Sequence, residues 1–250
     1  MNTNWQALSY DFKKKASQYS IGLIVLSEDM CSEPEMNRFL YQSGANLYAS
    51  RIAMNKIATK ETLKNLKNNF SKAVELFPSD IKLDVISFSC TTGSIVTELD
   101  ELKSIITKIK PDIPVTNPMT ASIKGLRAMN CKKPALITPY LNELNEILAN
   151  YLIQNGFEIS KCGSFNLPGD PEMNRVDPES VYKAAIKLNC DKVDSIFISC
   201  TGLWVSSIIE RIENKINKPV ISSNQAQAWD CLRLSGNEVK ISHFGKLLLN

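Results

Sequence analysis

The sequence predicts an α/β fold made of two related halves. Three observations support this: short β-rich runs alternate with amphipathic segments, several predicted strands are uninterrupted apolar runs, and one strand-turn motif occurs twice. Alternating strands and helices are typical of a parallel sheet, and continuous apolar strands are expected where helices cover both of its faces. The 250 residues are enough for one large domain or two small ones.

The first half begins with an apolar strand and continues with strands and helices in alternation. Each predicted strand is a short run rich in apolar and β-branched residues. Each predicted helix repeats apolar residues at the spacing of one helical face. In chain order, the predicted elements are strand 21–26, strand 47–53, helix 60–75, strand 85–89, helix 95–110 and strand 113–115.

The second half repeats the same kinds of element. No glycine- or serine-rich linker separates the two halves, so composition alone does not place a boundary between them. In chain order, the predicted elements are strand 135–138, helix 142–155, strand 157–160, helix 178–188, strand 195–199, helix 205–215 and strand 220–222.

Composition and charge exclude several classes of protein. Hydrophobic residues make up 44% and charged residues 22% of the chain, as in ordinary globular proteins. The net charge of +3 is too small to predict nucleic-acid binding, and no apolar run approaches the ~20 residues of a membrane span. Residues 1–20 lack the apolar stretch and cleavage site of a signal peptide, so we expect a cytoplasmic protein without a membrane partner.

Seven cysteines and a single histidine limit the chemistry that the chain can perform. An odd number of cysteines cannot form a complete set of disulfides, and no pair has the spacing of a CxxC metal or redox motif. A metal centre or a Ser-His-Asp triad would depend on His243 alone, so we expect neither. Five cysteines are expected to be inert packing residues, namely Cys31, Cys131, Cys162, Cys190 and Cys231.

The repeated motif places one cysteine at the same point of each half. Residues 84–93 read Asp-Val-Ile-Ser-Phe-Ser-Cys-Thr-Thr-Gly, and residues 194–202 read Asp-Ser-Ile-Phe-Ile-Ser-Cys-Thr-Gly. In both, a strand ends in Ser-Cys-Thr, and small residues then open a helix. Because ligands bind beyond the carboxyl ends of strands in α/β sheets, we expect Cys90 and Cys200 to face one small molecule.

Two thiols on opposite sides of one ligand suit a two-base racemase or epimerase. One thiolate removes a proton from carbon, and the opposite thiol returns a proton to the other face. A position at a helix N-terminus is expected to lower the pKa of each thiol. The donors expected to bind a substrate carboxylate are Thr91, Thr92, Thr201 and Gly202. The alternative is inert packing, which is the commoner role of a single buried cysteine.

Several motifs together resemble the aspartate/glutamate racemase superfamily. They are 21–29, Thr138-Pro-Tyr140, Asn174-Arg-Val176, 197–201, 219–226, and Trp229 with 231–234. Within that superfamily they resemble the branch that holds maleate cis-trans isomerase, arylmalonate decarboxylase and the ectoine-utilisation protein EutA. The similarity is greatest to the EutA-like proteins and extends over residues 20–245.

The resemblance implies two pseudo-symmetric, Rossmann-like lobes with parallel sheets and an active site in the cleft between them. It also implies an enzyme that needs no cofactor or metal and that forms a homodimer or a larger homo-oligomer. The lobes are expected to comprise residues 1–118 with 220–250, and residues 119–219.

The matched site positions include two departures from the maleate isomerases. Cys90 and Cys200 match the catalytic pair of the family, and Tyr140 matches its tyrosine that binds a substrate carboxylate. Asp29 and Asp170 stand where maleate isomerases carry asparagine. An amide can donate to a carboxylate and an ionised aspartate cannot, so both departures argue against maleate. Asp29 instead resembles the aspartate that assists the catalytic cysteine of amino-acid racemases.

The aspartates leave further alternatives open. Either carboxylate could bind a substrate ammonium, and Asp170 could equally be a turn residue of its Pro-Gly-Asp-Pro segment. Second-tier candidates near strand ends are Arg51, Asn117, Ser222 and Asn224.

The main prediction is a two-cysteine racemase or isomerase that acts on a small carboxylate, either an amino acid or a derivative of the ectoine-catabolism type. The first alternative is maleate cis-trans isomerisation, in which Cys90 adds covalently to the double bond. A decarboxylase is disfavoured, because arylmalonate decarboxylases keep only the second cysteine. A non-catalytic sensor of small carboxylates is the competitor from another functional class.

Overall fold

Two four-stranded parallel sheets form the framework of the molecule. The structure is a computed structural model that describes residues 3, 5–12 and 19–250, so part of the segment predicted to lack a signal peptide lies outside the described residues. The strands are β1 (Tyr19–Leu26), β2 (Ala45–Ile52), β3 (Val85–Ser89), β4 (Val115–Thr116), β5 (Pro134–Thr138), β6 (Cys162–Ser164), β7 (Ser195–Ile198) and β8 (Val220–Ser222).

The two sheets repeat one topology, which confirms the predicted fold class. Their strand orders are β2-β1-β3-β4 and β6-β5-β7-β8, so each strand of one sheet has a counterpart in the other. Every pairing between neighbouring strands is parallel. Strands β3 and β7 occupy equivalent positions, and the repeated Ser-Cys-Thr turns follow these two strands.

Helices cover the sheets and complete the core. They are α1 (Ser32–Leu40), α2 (Lys60–Lys64), α3 (Phe70–Glu75), α4 (Gly93–Val96), α5 (Leu99–Thr107), α6 (Pro118–Ala128), α7 (Asn142–Gln154), α8 (Asp170–Met173), α9 (Pro178–Leu188), α10 (Ile209–Ile216) and α11 (Ser223–Leu234). Two 3₁₀-helices span Asn65–Asn69 and Lys246–Leu249. Within the described residues, no helix is long and apolar enough to cross a membrane.

Some predicted elements differ from the observed ones. The predicted strand 157–160 is wrong, because that segment only connects α7 to the exposed edge strand β6. The predicted helix 60–75 is divided by a 3₁₀ segment, and the predicted helix 95–110 is interrupted at Thr97, whose backbone is extended. The helix predicted at 205–215 begins only at Ile209.

The predicted lobe boundaries stay a prediction, with one exception. Strand β8 pairs with β7, so residues 220–222 belong to the second sheet and not to the first lobe. Helix α11 follows directly, and it packs against α6 and α1 as well as against β3. The chain therefore crosses between the two sheets at this point, and α11 lies close to both Ser-Cys-Thr turns.

Candidate active site

The two repeated turns place Cys90 and Cys200 at the carboxyl ends of β3 and β7. Each cysteine exposes only 7% of its surface. The sulfur of Cys90 accepts the backbone N–H of Gly93 at 3.3 Å, and the sulfur of Cys200 accepts that of Gly202 at 3.2 Å. A side chain at Gly93 would lie 2.9 Å from the Cys90 sulfur, which explains the small residue in that turn.

The structure brings these two cysteines together with Tyr140. Burial is the largest cause of the raised pKa at both Cys200 and Tyr140, and the charge of Cys90 contributes at each, which indicates that the three groups lie near one another. Tyr140 follows β5 and is buried, and its hydroxyl oxygen lies 3.4 Å from that of Ser199. Burial keeps the phenol protonated, so Tyr140 is available as a hydrogen-bond donor.

The expectation that the turns lower the thiol pKa is wrong. Burial is the largest cause of a raised pKa at both cysteines, and the negative charge of Asp170 is the second. The pKa of Cys90 rises to about 12, although the Gly93 N–H and the Thr92 hydroxyl oppose the rise. The helix-dipole argument fails because α4 has only four residues and the next helix after Cys200 begins at Ile209.

Cys200 also has an unusual backbone conformation. Its φ angle is +130°, a region that L-residues with side chains rarely occupy. Such conformations cost on the order of 1–3 kcal/mol and tend to persist at functional sites. The backbone N–H of Cys200 donates to the Ser223 hydroxyl at 3.2 Å, and that hydroxyl also accepts from Thr91 at 2.9 Å. Ser223 therefore connects the two cysteine turns.

The remaining residues of the turns serve partly to hold the turns in place. The Thr92 hydroxyl lies 3.9 Å from the Cys90 sulfur, and the Thr201 carbonyl accepts the Asn224 amide at 2.8 Å. Within the described part of the chain, the backbone N–H groups of Thr91, Thr92 and Thr201 donate to no protein acceptor. These N–H groups are therefore available to bind a ligand carboxylate.

Asp29 lies beside the site but is engaged by its own loop. One carboxylate oxygen accepts the backbone N–H groups of Cys31 and Ser32, both at 2.8 Å, and the other accepts the Ser32 hydroxyl. Arg51 donates to the carbonyl of Asp29 at 2.9 Å rather than to its carboxylate. No hydrogen bond among the described residues joins Asp29 to Cys90, so its assistance to a catalytic cysteine stays a prediction.

Asp170 is the titratable group that most strongly influences both thiols. It begins α8, and its Oδ2 atom is buried without a hydrogen-bond partner in the described structure. Burial, with the charges of Asp29 and Glu28, raises the pKa of Asp170 to about 7. Asp170 is the first residue of a short helix rather than a turn residue, and its charge acts on both cysteines.

Sequence reasoning missed several residues of the site. Cys31, which was interpreted as inert packing, donates through its thiol to the Gly202 carbonyl at 3.3 Å. Asn174 donates its amide to the Glu28 carbonyl at 2.8 Å, so it joins the two halves. Motifs containing Asn174 and Ser223 were recognised, but single-residue roles require the contacts between distant segments. Cys31 and Ser223 hold the cysteine turns through these contacts, and Asn174 lies beside the second turn.

Contacts between the two halves close the site. The buried carboxylate of Glu35 accepts the backbone N–H groups of Val205 at 2.9 Å and Ser206 at 2.8 Å. The Ala58 N–H donates to the Pro168 carbonyl at 3.1 Å. Together these bonds connect α1 and the segment after β2 to the loops that precede α10 and α8.

Comparison with known proteins identifies related sequences and folds. The family model described as arylmalonate decarboxylase matches residues 21–248. The maleate isomerase of Geobacillus stearothermophilus is 26% identical over 249 residues, which cover 93% of this chain and 98% of that protein. The arylmalonate decarboxylase of Bordetella bronchiseptica is 33% identical over 130 residues, or 51% of this chain and 54% of that protein.

A solved structure shares the overall fold. It is a cysteine-to-serine mutant of the Nocardia farcinica maleate cis-trans isomerase with a covalently bound succinylcysteine intermediate. The two chains superpose with a TM-score of 0.85 at 24% identity, over 92% of this chain and 98% of that one.

Proposed function

Because the chain belongs to the arylmalonate decarboxylase family, we propose that it is a cis-trans isomerase of the maleate type that acts on a small unsaturated carboxylate. The observation that carries the proposal is the cluster formed by the Cys90 thiol, the Cys200 thiol and the Tyr140 phenol. A nucleophile and a proton donor on opposite sides of one ligand are the groups that reversible addition to an alkene requires.

In the proposed reaction, the Cys90 thiolate forms a bond to one alkene carbon, and the π electrons move to the neighbouring carbon. The Cys200 thiol gives that carbon a proton, which leaves a succinyl-type thioether on Cys90 and a single bond that can rotate. After rotation, the Cys200 thiolate takes the proton back, and the carbon–sulfur bond breaks towards the Cys90 sulfur. The trans alkene is released, and no electrons are gained or lost.

Donors at the two turns stabilise the charge that develops on the substrate. The backbone N–H groups of Thr91 and Thr92 lie beside Cys90, and that of Thr201 lies beside Cys200. Together with the Tyr140 hydroxyl, they are placed to bind a carboxylate whose negative charge grows as the thiolate adds. The succinylcysteine in the Nocardia relative supports covalent chemistry of this kind.

Isomerisation of an alkene is favoured here over the racemisation predicted from the sequence. Relatives that span more than nine-tenths of the chain are maleate isomerases. The same two thiols would also serve a racemase, so the choice between the two reactions depends on the substrate. The closeness to EutA-like proteins, the link to ectoine catabolism, the cytoplasmic location and the homo-oligomer stay predictions.

Proton NMR with maleate, together with mass spectrometry of the protein, tests the proposal. We expect the wild-type protein to convert maleate or its monoamide to the trans isomer, and we expect Cys90→Ser and Cys200→Ser to lose that activity. Cys200→Ser should accumulate a succinyl group on Cys90, because a carbanion can still take a proton from a hydroxyl or from water, whereas removal of that proton from the adduct requires the basic thiolate. Cys162→Ser, which changes an exposed cysteine, is the matched control and should retain activity.

Two results would contradict the proposal. Unchanged isomerisation in Cys90→Ser would exclude the covalent step at that residue. Exchange of the α-proton of an amino acid, without conversion of maleate or any other cis alkene, would restore the racemase prediction.

A further inference from the structure

The recognition groups of the site are of two kinds, donors and acceptors. The donors are the unpaired N–H groups of the cysteine turns and the Tyr140 hydroxyl, and they suit one carboxylate. The acceptors are buried oxygens that receive no hydrogen bond from the described residues. They are Asp170 Oδ2, Asn174 Oδ1 and Asn224 Oδ1.

The two asparagine amides have a fixed orientation. The Nδ2 atom of Asn174 donates to the Glu28 carbonyl, and that of Asn224 donates to the Thr201 carbonyl, both at 2.8 Å. A carbonyl oxygen can only accept, so the nitrogen must face it and the amide oxygen must point away. Because buried polar atoms are normally hydrogen-bonded, these acceptors suit a ligand that supplies a donor.

The charges around Asp170 disfavour a second ligand carboxylate. The charged groups that act on Asp170 are Asp29 and Glu28 from the loop after β1, and both are negative. The nearby cation Arg51 is occupied, since it pairs with Glu33 at 3.0 Å and donates to backbone carbonyls. A dicarboxylate would therefore place one of its negative charges against these carboxylates without a cation to offset it.

We propose that the substrate has one carboxylate and, at its other end, an N–H donor, and that Asp170 is the residue that selects this donor. The assignment rests on the proposed isomerase function and specifies its substrate class. The donor is a primary amide, as in the monoamide of a cis-unsaturated dicarboxylic acid, or an ammonium group. In both cases the reaction at Cys90 and Cys200 is the one described above, because one carboxylate is enough to activate the alkene.

Binding of saturated analogues tests the selection independently of turnover. Isothermal titration calorimetry at mildly alkaline pH would compare succinamate, 4-aminobutyrate and succinate, which have similar lengths and different second ends. We expect succinamate or 4-aminobutyrate to bind on the order of tenfold more tightly than succinate. Tighter binding of succinamate would identify the substrate donor as an amide, and tighter binding of 4-aminobutyrate would identify it as an ammonium group. Asp170→Asn should reduce this preference at least tenfold, whereas the surface change Asp100→Asn should leave it unchanged.

The possible results separate this inference from the proposed function. Succinate binding as tightly as both N–H compounds, binding of none of the three, or an unchanged preference in Asp170→Asn would overturn the inference. Turnover of maleate and maleamate is measured in parallel. If succinamate or 4-aminobutyrate is preferred but neither alkene is converted, the selection by Asp170 stands and the isomerase proposal fails.

Discussion

Replacing Asp170 by asparagine should remove much of the pH dependence of folding stability. The pKa of Asp170 rises from 3.8 to about 7 in the folded protein, so the folded state holds this proton more tightly than the unfolded state. Stability from this group is therefore complete below pH ~4 and is lost as the pH rises towards ~7. The shift of about three pKa units corresponds to at most ~4 kcal/mol, because each unit is worth ~1.4 kcal/mol.

Urea denaturation followed by tryptophan fluorescence measures this effect. The free energy of unfolding of the wild type should fall by up to ~4 kcal/mol between about pH 4 and pH 8 relative to that of Asp170→Asn, since asparagine does not titrate. Asp29, whose pKa is also raised, mainly by burial, is present in both proteins, so its burial contributes to both curves. Parallel pH dependences in the two proteins would refute the reasoning that Asp170 carries a buried charge at neutral pH.

Three further predictions concern the same cluster. At a fixed pH, Asp170→Asn should increase the rate at which iodoacetamide alkylates Cys90 on the order of tenfold. The reason is that a nearby negative charge, worth ~1.4 kcal/mol, no longer opposes formation of the thiolate. An unchanged alkylation rate, measured by peptide mapping, would contradict this. Cys200→Gly should be more stable than Cys200→Ala by ~1 kcal/mol in urea, since glycine tolerates a φ of +130°; equal stabilities would argue against backbone strain. Gly169→Ala should lower turnover at least tenfold and speed the alkylation of Cys90. The added methyl group would lie 1.8 Å from the Lys56 carbonyl oxygen, so it would hold the two segments apart and open the site. Turnover and alkylation rates equal to those of the wild type would show that the close contact between Gly169 and Lys56 is dispensable.

The parts of the fold that could be predicted are those whose burial is uniform. Strands β3 and β7 are buried at every residue, so they read as apolar runs and were predicted within one residue of their observed ends. Strand β6 lies at an exposed edge, and the alternating apolar and polar residues 157–160 before it were interpreted as the strand instead. Helix α11 was not predicted, because it buries polar residues such as Asn224 and Gln227 and therefore has no clear apolar face.

The candidate site was predictable where one short motif places a residue. The repeated turns and the β5 turn identified Cys90, Cys200 and Tyr140, and the structure brings these three groups together. The direction in which the thiol pKa shifts was not predictable, because the shift depends on burial and on the charge of Asp170, which lies in a distant segment of the chain. The contact between the Cys31 thiol and the second cysteine turn depends likewise on how the two halves pack.

Asp170 connects the choice of substrate with the reactivity of the thiols. Its charge disfavours both thiolates, and no cation among the described residues pairs with it. An N–H donor bound to Asp170 offsets part of that charge and so lowers the pKa of Cys90, whereas a second carboxylate adds charge and raises it. In the proposed site, the ligand that fits best is thus also the ligand that favours formation of the nucleophile. A high thiol pKa before binding is compatible with catalysis on this basis, because the more basic thiolate is also the stronger nucleophile once it forms.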